Sequence, residues 1–227
     1  MSDTLLITGA NRGIGLDLTR TSLGRGHRVI AACRRPEGAD ELSALASEHL
    51  EIVALDVGDD ASISALVAAL GGRSVDALIN NAGRMKREPG VDGIDREDWL
   101  HTFAINAIAP LRVATALKPN LLRSRRARVL TVSSQMGSLE RAGTGDVAYR
   151  SSKAAVNMAM RCLADEWSAD GITVCTVHPG WVRSDMGGAG ADLSTAESAA
   201  DLVALLERLT PADTGRFLNH DGASMPW

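Results

Sequence analysis

The chain has 227 residues, of which 45% are hydrophobic and only 3% are aromatic, so we expect one domain, residues 1–227, with an aliphatic core. Its net charge of −4 argues against a general binder of nucleic acid or anionic membranes, because such proteins need a basic surface. The opening stretch MSDTLLITGANRG lacks the pattern of a secretion signal, and no apolar run reaches the roughly 18 residues needed to span a membrane. We therefore expect a soluble, cytoplasmic protein.

Short apolar runs alternate with longer amphipathic segments along the whole chain. The runs predict strands at 4–8, 27–33, 51–55, 76–80, 127–133, 171–177 and 215–219. The segments between them predict helices at 13–25, 38–48, 60–70, 95–123, 148–169 and 195–209. Most of the strand-like runs are apolar throughout, as in strands that are covered on both faces. This alternation predicts an α/β fold with a doubly wound, mainly parallel seven-stranded sheet and helices on both faces.

The first predicted strand runs directly into a glycine-rich turn, TGANRGIG, at residues 8–15. Gly9, Gly13 and Gly15 would let the backbone approach a pyrophosphate, and the helix that follows would present free N–H groups to it. An ordinary glycine-rich turn is the alternative interpretation. The position of the turn, after the first strand of an α/β sheet, favours a dinucleotide site.

The end of the second predicted strand indicates which dinucleotide would bind. The sequence there is AACRRP, so Arg34 and Arg35 stand where an acidic residue would bind the ribose hydroxyl of NAD. Guanidinium groups bind phosphate through charge-assisted hydrogen bonds, and Arg12 in the glycine turn adds another. We therefore predict NADP(H) as the cofactor, although Arg34 and Arg35 could instead be solvated loop charges.

Several motifs follow one another in an informative order. They are TGANRGIG, LD at 55–56, NNAG at 80–83, Asn106, VSS at 132–134, YRSSK at 149–153 and HPGWV at 178–182. With this set the chain resembles the short-chain dehydrogenase/reductase superfamily over essentially its full length. Within that superfamily it is similar to the C-signal/Sniffer-like group of the single-domain branch. The resemblance implies a Rossmann-type fold and an oxidoreductase.

The resemblance also implies a catalytic set of Asn106, Ser134, Tyr149 and Lys153. Tyr149, the only tyrosine in the chain, would be the general acid in carbonyl reduction and the base in the reverse direction. Lys153 lies one helical turn later, where its charge, together with oxidised nicotinamide, would favour the phenolate and its ammonium would hold the cofactor ribose. Ser134 would hydrogen-bond the substrate carbonyl, although Ser133 is an alternative. Asn106 would support a water that links the lysine to solvent.

Each of these residues has a simpler interpretation when it is considered alone. Tyrosine and lysine at this spacing often form a plain surface contact, and a serine often ends a strand. Asn106 could cap a break in the helix before Pro110. Only their joint occurrence favours catalysis.

The cofactor site implied by the resemblance draws on all the motifs. Asp56 would meet the adenine, and Val182 and Ser184 would lie near the nicotinamide. Ser184 stands where many relatives have threonine, and the hydroxyl is retained. The segment from Ser134 to Tyr149 is two residues longer than the commonest spacing. The full set is Gly9, Arg12, Gly13, Ile14, Arg34, Asp56, Val57, Asn81, Tyr149, Lys153, Val182 and Ser184.

Four other features bear on function. No cysteine or histidine spacing fits a metal centre, so we predict none. The segment RMKRE, 84–88, either edges the active site or forms a solvated loop. The arginines at 123, 125, 126 and 128 are interpreted as cations near a helix C-terminus. The glycine-rich stretch 187–192 predicts a mobile loop near the site.

The leading prediction is an NADP(H)-dependent short-chain dehydrogenase/reductase acting on a small-molecule carbonyl or alcohol. The alternative is an NADP-binding regulatory or signalling protein with little turnover. We expect a homodimer or homotetramer formed through helices 95–123 and 148–169, and no nucleic-acid or membrane partner.

Overall fold

The computed structural model describes residues 2–88 and 90–227. Its strands are β1 Thr4–Thr8, β2 Arg28–Cys33, β3 Leu50–Ala54, β4 Ala77–Asn80, β5 Arg128–Val132, β6 Thr173–His178 and β7 Phe217–Asn219. All seven lie in one sheet in the order β3-β2-β1-β4-β5-β6-β7, and every neighbouring pair is parallel. The predicted Rossmann-type sheet is therefore confirmed.

Seven α-helices connect the strands in the described part of the chain. They are α1 Gly13–Gly24, α2 Asp40–Ser43, α3 Asp60–Leu70, α4 Arg96–Phe103, α5 Ala109–Leu121, α6 Val147–Trp167 and α7 Thr195–Arg208. Some begin at side-chain caps: Asp59 accepts a hydrogen bond at the start of α3, and Ser194 forms a capping box with Glu197 at α7.

The core consists of two aliphatic layers, one on each face of the sheet. Leu5 and Ile7 of β1 point to the layer formed with α1 and α7, and Leu6 points to the layer formed with α3, α5 and α6. This alternation follows from the period of two in a strand. Burial of both faces explains why the strands read as unbroken apolar runs.

The predicted helix at 38–48 is much shorter in the structure. A single 3-10 turn at Pro36–Gly38 precedes α2, which ends at Ser43. Beyond it, Ala46 has a positive φ of 20°, and the side chain of Ser47 accepts a hydrogen bond from the N–H of His49. These local bonds replace helical ones and direct the chain into β3.

The predicted helix at 95–123 continues past Pro110 without the break that the proline suggested. A π-helical segment, Ala104–Ile108, joins α4 to α5. Pro110 has no N–H, so it offers no helical hydrogen bond to the carbonyl of Asn106, four residues earlier. The wider π-helical turn accommodates this missing hydrogen bond, and π turns of this kind are frequent at functional sites.

Among the described residues, one helix, Arg96–Leu121, is long and apolar enough by length and composition to cross a membrane. In this fold Val113, Leu117 and Leu121 of that helix are buried in the layer shared with α3 and α6. These contacts are those of a core helix.

The interpretation of the arginines near residue 125 as helix-end cations is wrong for Arg128. That residue begins β5 and is buried, where it donates to the Asp3 carboxylate at 2.6 Å and to the carbonyl of Leu206 at 3.1 Å. A third bond, to the carbonyl of Arg126, measures 3.1 Å. The many donors of a guanidinium make this burial possible.

Candidate active site

The order of the strands reverses between β1 and β4, which is where α/β sheets of this kind bind ligands. A cleft of about 940 Å³ opens there at the carboxyl ends of the strands. It is lined by every residue predicted for the cofactor, and by Ser134. One groove therefore runs from the glycine turn to Tyr149.

The glycine turn is packed so tightly at Gly9 and Gly15 that neither position has room for a side chain. A Cβ on Gly9, which has a φ of +66°, would lie 2.9 Å from the Cα of Ala82. A Cβ on Gly15 would lie 2.1 Å from the carbonyl oxygen of Gly9. Among the described residues, Arg12 precedes α1 without a side-chain cap for the helix. The first N–H groups of α1 thus face the cleft, as a phosphate site requires.

Two arginines lie at the same end of the cleft. Arg34 follows β2 and is exposed, whereas Arg35 is exposed but lies outside the cleft lining. Arg12 forms a 2.6 Å ion pair with Asp185, a residue of the loop after β6. Asp56 lies after β3, where its carboxylate accepts a bond from the N–H of Gly58 at 2.9 Å.

Asn81 fastens the glycine turn to the end of β4. Its side-chain amide donates to the carbonyls of Thr8 at 2.9 Å and Gly9 at 3.2 Å, and its own N–H donates to the Thr8 hydroxyl at 3.0 Å. The side chain predicted to bind the cofactor therefore also holds the turn in shape.

Tyr149 and Lys153 lie on the same face of α6, at the other end of the cleft. The Lys153 ammonium lies 5.7 Å from the centre of the Tyr149 ring and donates to the carbonyl of Val132 at 2.8 Å. The Ser134 side chain lies beside the phenol of Tyr149 and lowers its pKa, and the Ser134 hydroxyl oxygen accepts a hydrogen bond from the N–H of Met136 at 3.1 Å. Ser133, in contrast, turns toward the backbone of α6, with a long 3.5 Å contact to the Lys153 carbonyl. This geometry favours Ser134 over Ser133.

Burial has the largest effect on the pKa values of Tyr149 and Lys153. It raises the pKa of Tyr149 to about 12, although the neighbouring Ser134 hydroxyl and the Arg87 charge act in the opposite direction. Burial also lowers the pKa of Lys153 to about 8. The phenol of Tyr149 is therefore protonated at neutral pH. The expectation that Lys153, together with oxidised nicotinamide, favours the phenolate stays a prediction. A protonated phenol is the form that can donate a proton.

Asn106 lies behind the cleft, within the π turn. Its side-chain carbonyl accepts from the N–H of Arg84 at 2.8 Å, and its amide donates to the Arg84 carbonyl at 2.8 Å and the Ser152 hydroxyl at 3.0 Å. A Cβ added to Gly83 would lie 3.5 Å from this side-chain oxygen and 3.8 Å from the Lys153 ammonium. Asn106 therefore joins the β4 loop to α6 next to the lysine.

The loop after β6 forms the remaining wall. Val182 is buried and pairs with Leu193 in a β-bridge. The Ser184 hydroxyl donates to the Val182 carbonyl at 3.4 Å and accepts from the N–H of Gly187 at 3.3 Å. These bonds form a compact turn that ends at Gly187, where the glycine-rich stretch 187–192 begins. The mobility of that stretch stays a prediction.

Some residues that line the cleft near Tyr149 were missed or left open by sequence reasoning. They are Met85, Arg87, Gln135, Met136, Trp181 and Met186. Within the segment 84–88, Arg84, Met85 and Arg87 line the cleft, whereas Lys86 and Glu88 lie outside its lining. The other residues carry no motif, so only the fold brings them together.

A sequence model of the family described as short chain dehydrogenase matches residues 3–192. The chain belongs to the short-chain dehydrogenase family. It is 42% identical to C-signal of Myxococcus xanthus over 155 residues, which cover 67% of this chain and 93% of that protein.

Solved structures agree with this assignment over the whole chain. The carbonyl reductase Sniffer of D. melanogaster superposes with a TM-score of 0.95 at 30% identity, covering 100% of both chains. An NADPH-bound carbonyl reductase from chicken fatty liver gives a TM-score of 0.94 at 37% identity, covering 100% of this chain and 99% of that one. The predicted C-signal/Sniffer-like group is thereby confirmed.

Proposed function

We propose that this protein is an NADP(H)-dependent oxidoreductase that interconverts a small-molecule carbonyl and its alcohol. The observation that carries the proposal is the single cleft, with the glycine turn and Arg34 at one end and Ser134, Tyr149 and Lys153 at the other. The family and the NADPH-bound relative support the same assignment.

The residues of the cleft fit a phosphorylated dinucleotide. Gly9 and Gly15 leave room for backbone only, and the start of α1 offers N–H groups to a pyrophosphate. Arg34 and Arg12 would bind the additional ribose phosphate that distinguishes NADP from NAD. When bound, the cofactor supplies the hydride.

Ser134 and Tyr149 would act on the oxygen of the substrate. The Ser134 oxygen already accepts a hydrogen bond from Met136, so its own proton is free to be donated toward a carbonyl oxygen. The phenol of Tyr149 would deliver the proton that completes reduction, and it would accept that proton in the reverse direction. Both groups would stabilise the negative charge that develops on this oxygen.

Lys153 and Asn106 would support the proton donor from inside the fold. Below a pH of about 8 Lys153 is charged, and a positive charge beside the phenol favours loss of its proton. The backbone carbonyl of Asn106 receives no helical hydrogen bond from Pro110, because proline has no N–H. This backbone carbonyl can therefore accept a hydrogen bond from a group that lies between it and Lys153. Arg84 and Ser152 hold the Asn106 side chain in place through hydrogen bonds.

Replacement of Tyr149 by phenylalanine tests the proposal. The change keeps the ring and removes the only phenol of the chain. We expect turnover of a panel of carbonyl compounds, followed by loss of NADPH absorbance, to fall by roughly 10²- to 10⁴-fold. NADPH binding, measured by fluorescence titration, should stay within about twofold of the parent protein, since the ring is retained.

Undiminished turnover in the Tyr149→Phe variant would overturn this mechanism. Tight NADPH binding by the parent protein, without turnover of any carbonyl in the panel, would favour the regulatory alternative. A parallel series with NADH reports the cofactor preference.

The quaternary structure and the cellular compartment stay predictions. Leu100, Ile108 and Met158 lie on α4, the π turn and α6 and are largely exposed, which supports pairing through these helices. Light scattering of the purified protein would determine the number of subunits.

A further inference from the structure

The loop after β4 contacts the start of α6 through two charged residues. Arg87 donates to the Asp146 carboxylate at 2.7 Å. The carboxylate of Glu88 accepts from the N–H of Ala148 at 3.2 and 3.3 Å. Ala148 directly precedes Tyr149, so the helical turn that carries the phenol is held from outside the helix.

Asp146 has an unusual backbone conformation that fits this contact. Its φ of 50° and ψ of 40° lie in the left-handed region, which a residue with a side chain rarely adopts. Its side chain is only 14% exposed and points to Arg87, whereas residues at this position of a helix usually bind the first N–H groups of their own helix. Conformations of this cost persist where the surrounding structure fixes them, and they concentrate at functional sites.

Arg87 also contacts the opposite wall of the cleft. Its second guanidinium nitrogen donates to the carbonyl of Met186 at 3.2 Å, in the loop after β6. One side chain therefore joins the β4 loop, the start of α6 and the loop after β6. The side chain is still 66% exposed and lines the cleft beside Tyr149.

We propose that Arg87 is a positioning residue that acts through Asp146: it holds the turn of α6 that carries Tyr149 and ties this turn to the loop at Met186. The proposal rests on the function proposed above for Tyr149. A displacement of about 1 Å at a reacting group can lower a rate by 10²-fold, so a partial release of this turn should be measurable.

Arg87 and Asp146 also act on the phenol in opposite electrostatic directions. The charge of Arg87 lowers the pKa of Tyr149, and that of Asp146 raises it, both against the larger effect of burial. The other charged or titratable groups around this end of the cleft come from the β4 loop, α4, α6, β6 and the loop after β6: Arg84, Glu88, His101, Lys153, His178, Arg183 and Asp185. The variants below leave all of these unchanged.

The central comparison is between Arg87→Met and Lys86→Met. Both remove one positive charge from an exposed side chain of the same loop, but Lys86 pairs with Asp98 of α4, whereas Arg87 pairs with Asp146 at the start of α6. We expect Arg87→Met to lower kcat roughly tenfold with little change in NADPH affinity, and Arg87→Lys to recover part of the loss. Lys86→Met should stay within about twofold of the parent protein, because its ion pair is to α4 and does not hold the start of α6.

Asp146→Asn separates positioning from direct substrate binding. If Arg87 acts through Asp146, the double variant with Arg87→Met should be little worse than the more damaging single variant, because the two changes break one interaction. The pH at which alcohol oxidation reaches its plateau should rise in Arg87→Met and fall in Asp146→Asn. Additive losses in kcat, or shifts in the same direction, would overturn the proposal.

A measurement that does not depend on turnover completes the test. Because the chain has one tyrosine, isotopically labelled tyrosine gives a single NMR signal from Tyr149. That signal should move in Arg87→Met and Asp146→Asn and stay in place in Lys86→Met. If the signal moves but the parent protein lacks carbonyl turnover, the proposed function fails and the positioning inference stands. If the parent is active and Arg87→Met matches Lys86→Met in both readouts, this inference fails.

Discussion

The buried lysine of the site should destabilise the fold that contains it, and Lys153→Met tests this expectation. Burial lowers the pKa of Lys153 from 10.5 to about 8. At about 1.4 kcal/mol for each tenfold change in proton affinity, this corresponds to about 3 kcal/mol of unfolding free energy. Methionine has a similar length and no charge, so it should remove this cost.

Part of that gain is offset by a lost hydrogen bond. The Lys153 ammonium donates to the Val132 carbonyl at 2.8 Å, and methionine leaves that carbonyl without this donor, at a cost of about 1 kcal/mol. We therefore expect Lys153→Met to raise the unfolding free energy by about 2 kcal/mol at pH 7, while turnover is lost. Urea denaturation of the cofactor-free protein measures the difference.

The pH dependence of this difference in unfolding free energy shows whether the charge of Lys153 is its cause. Between pH 8 and 10.5 the unfolded parent chain binds more protons at residue 153 than the folded chain does, so the stability of the parent rises with pH in this window. The advantage of the variant should be complete below pH 8 and fade toward pH 10.5. Lys118→Met is the matched control, because Lys118 is partly exposed and pairs with Asp170. A variant less stable than the parent at pH 7, or a gain that does not change with pH, would refute the reasoning.

Arg34→Ala should weaken NADPH binding roughly tenfold and leave NADH binding nearly unchanged, as one lost charge-assisted bond requires; equal losses in calorimetric titrations would contradict phosphate recognition. Asp185→Asn should tighten NADPH binding by a few-fold in the same assay, because it frees Arg12 from its ion pair. Gly15→Ala should abolish binding, since its Cβ would lie 2.1 Å from the Gly9 carbonyl. Arg128→Met should change the urea midpoint by an amount equivalent to about 3 kcal/mol of lost stability, because Asp3 loses its buried partner.

Local sequence signals were sufficient for most of the fold. Apolar runs located all seven strands to within about two residues, because strands covered on both faces have no polar alternation to obscure them. The failures lie where side chains override the helical pattern. At Ser47 a side chain competes for backbone hydrogen bonds, and at Pro110 a missing donor widens the helix into a π turn.

The part of the site that would touch a substrate was harder to predict than the part that would touch the cofactor. The glycine turn and the Tyr–Lys pair are local in sequence, so a short motif contains them. Met85, Met136 and Met186 come from three loops that converge only after the sheet has formed. The contact between Arg87 and Asp146 could not be predicted from a local motif either, because the two residues lie 59 positions apart.

Three locally unfavourable features surround Tyr149, and none of them is needed to complete the sheet. Lys153 is a buried cation on the next turn, Asp146 has a left-handed backbone at the start of the helix, and Asn106 lies in a π turn on the neighbouring helix. Strained backbone costs of order 1–3 kcal/mol, and the buried charge adds a similar amount. A sequence selected for stability alone would replace each feature with a simpler one. Their convergence on the only phenol of the chain therefore argues, independently of any motif, that this corner of the fold is maintained for chemistry.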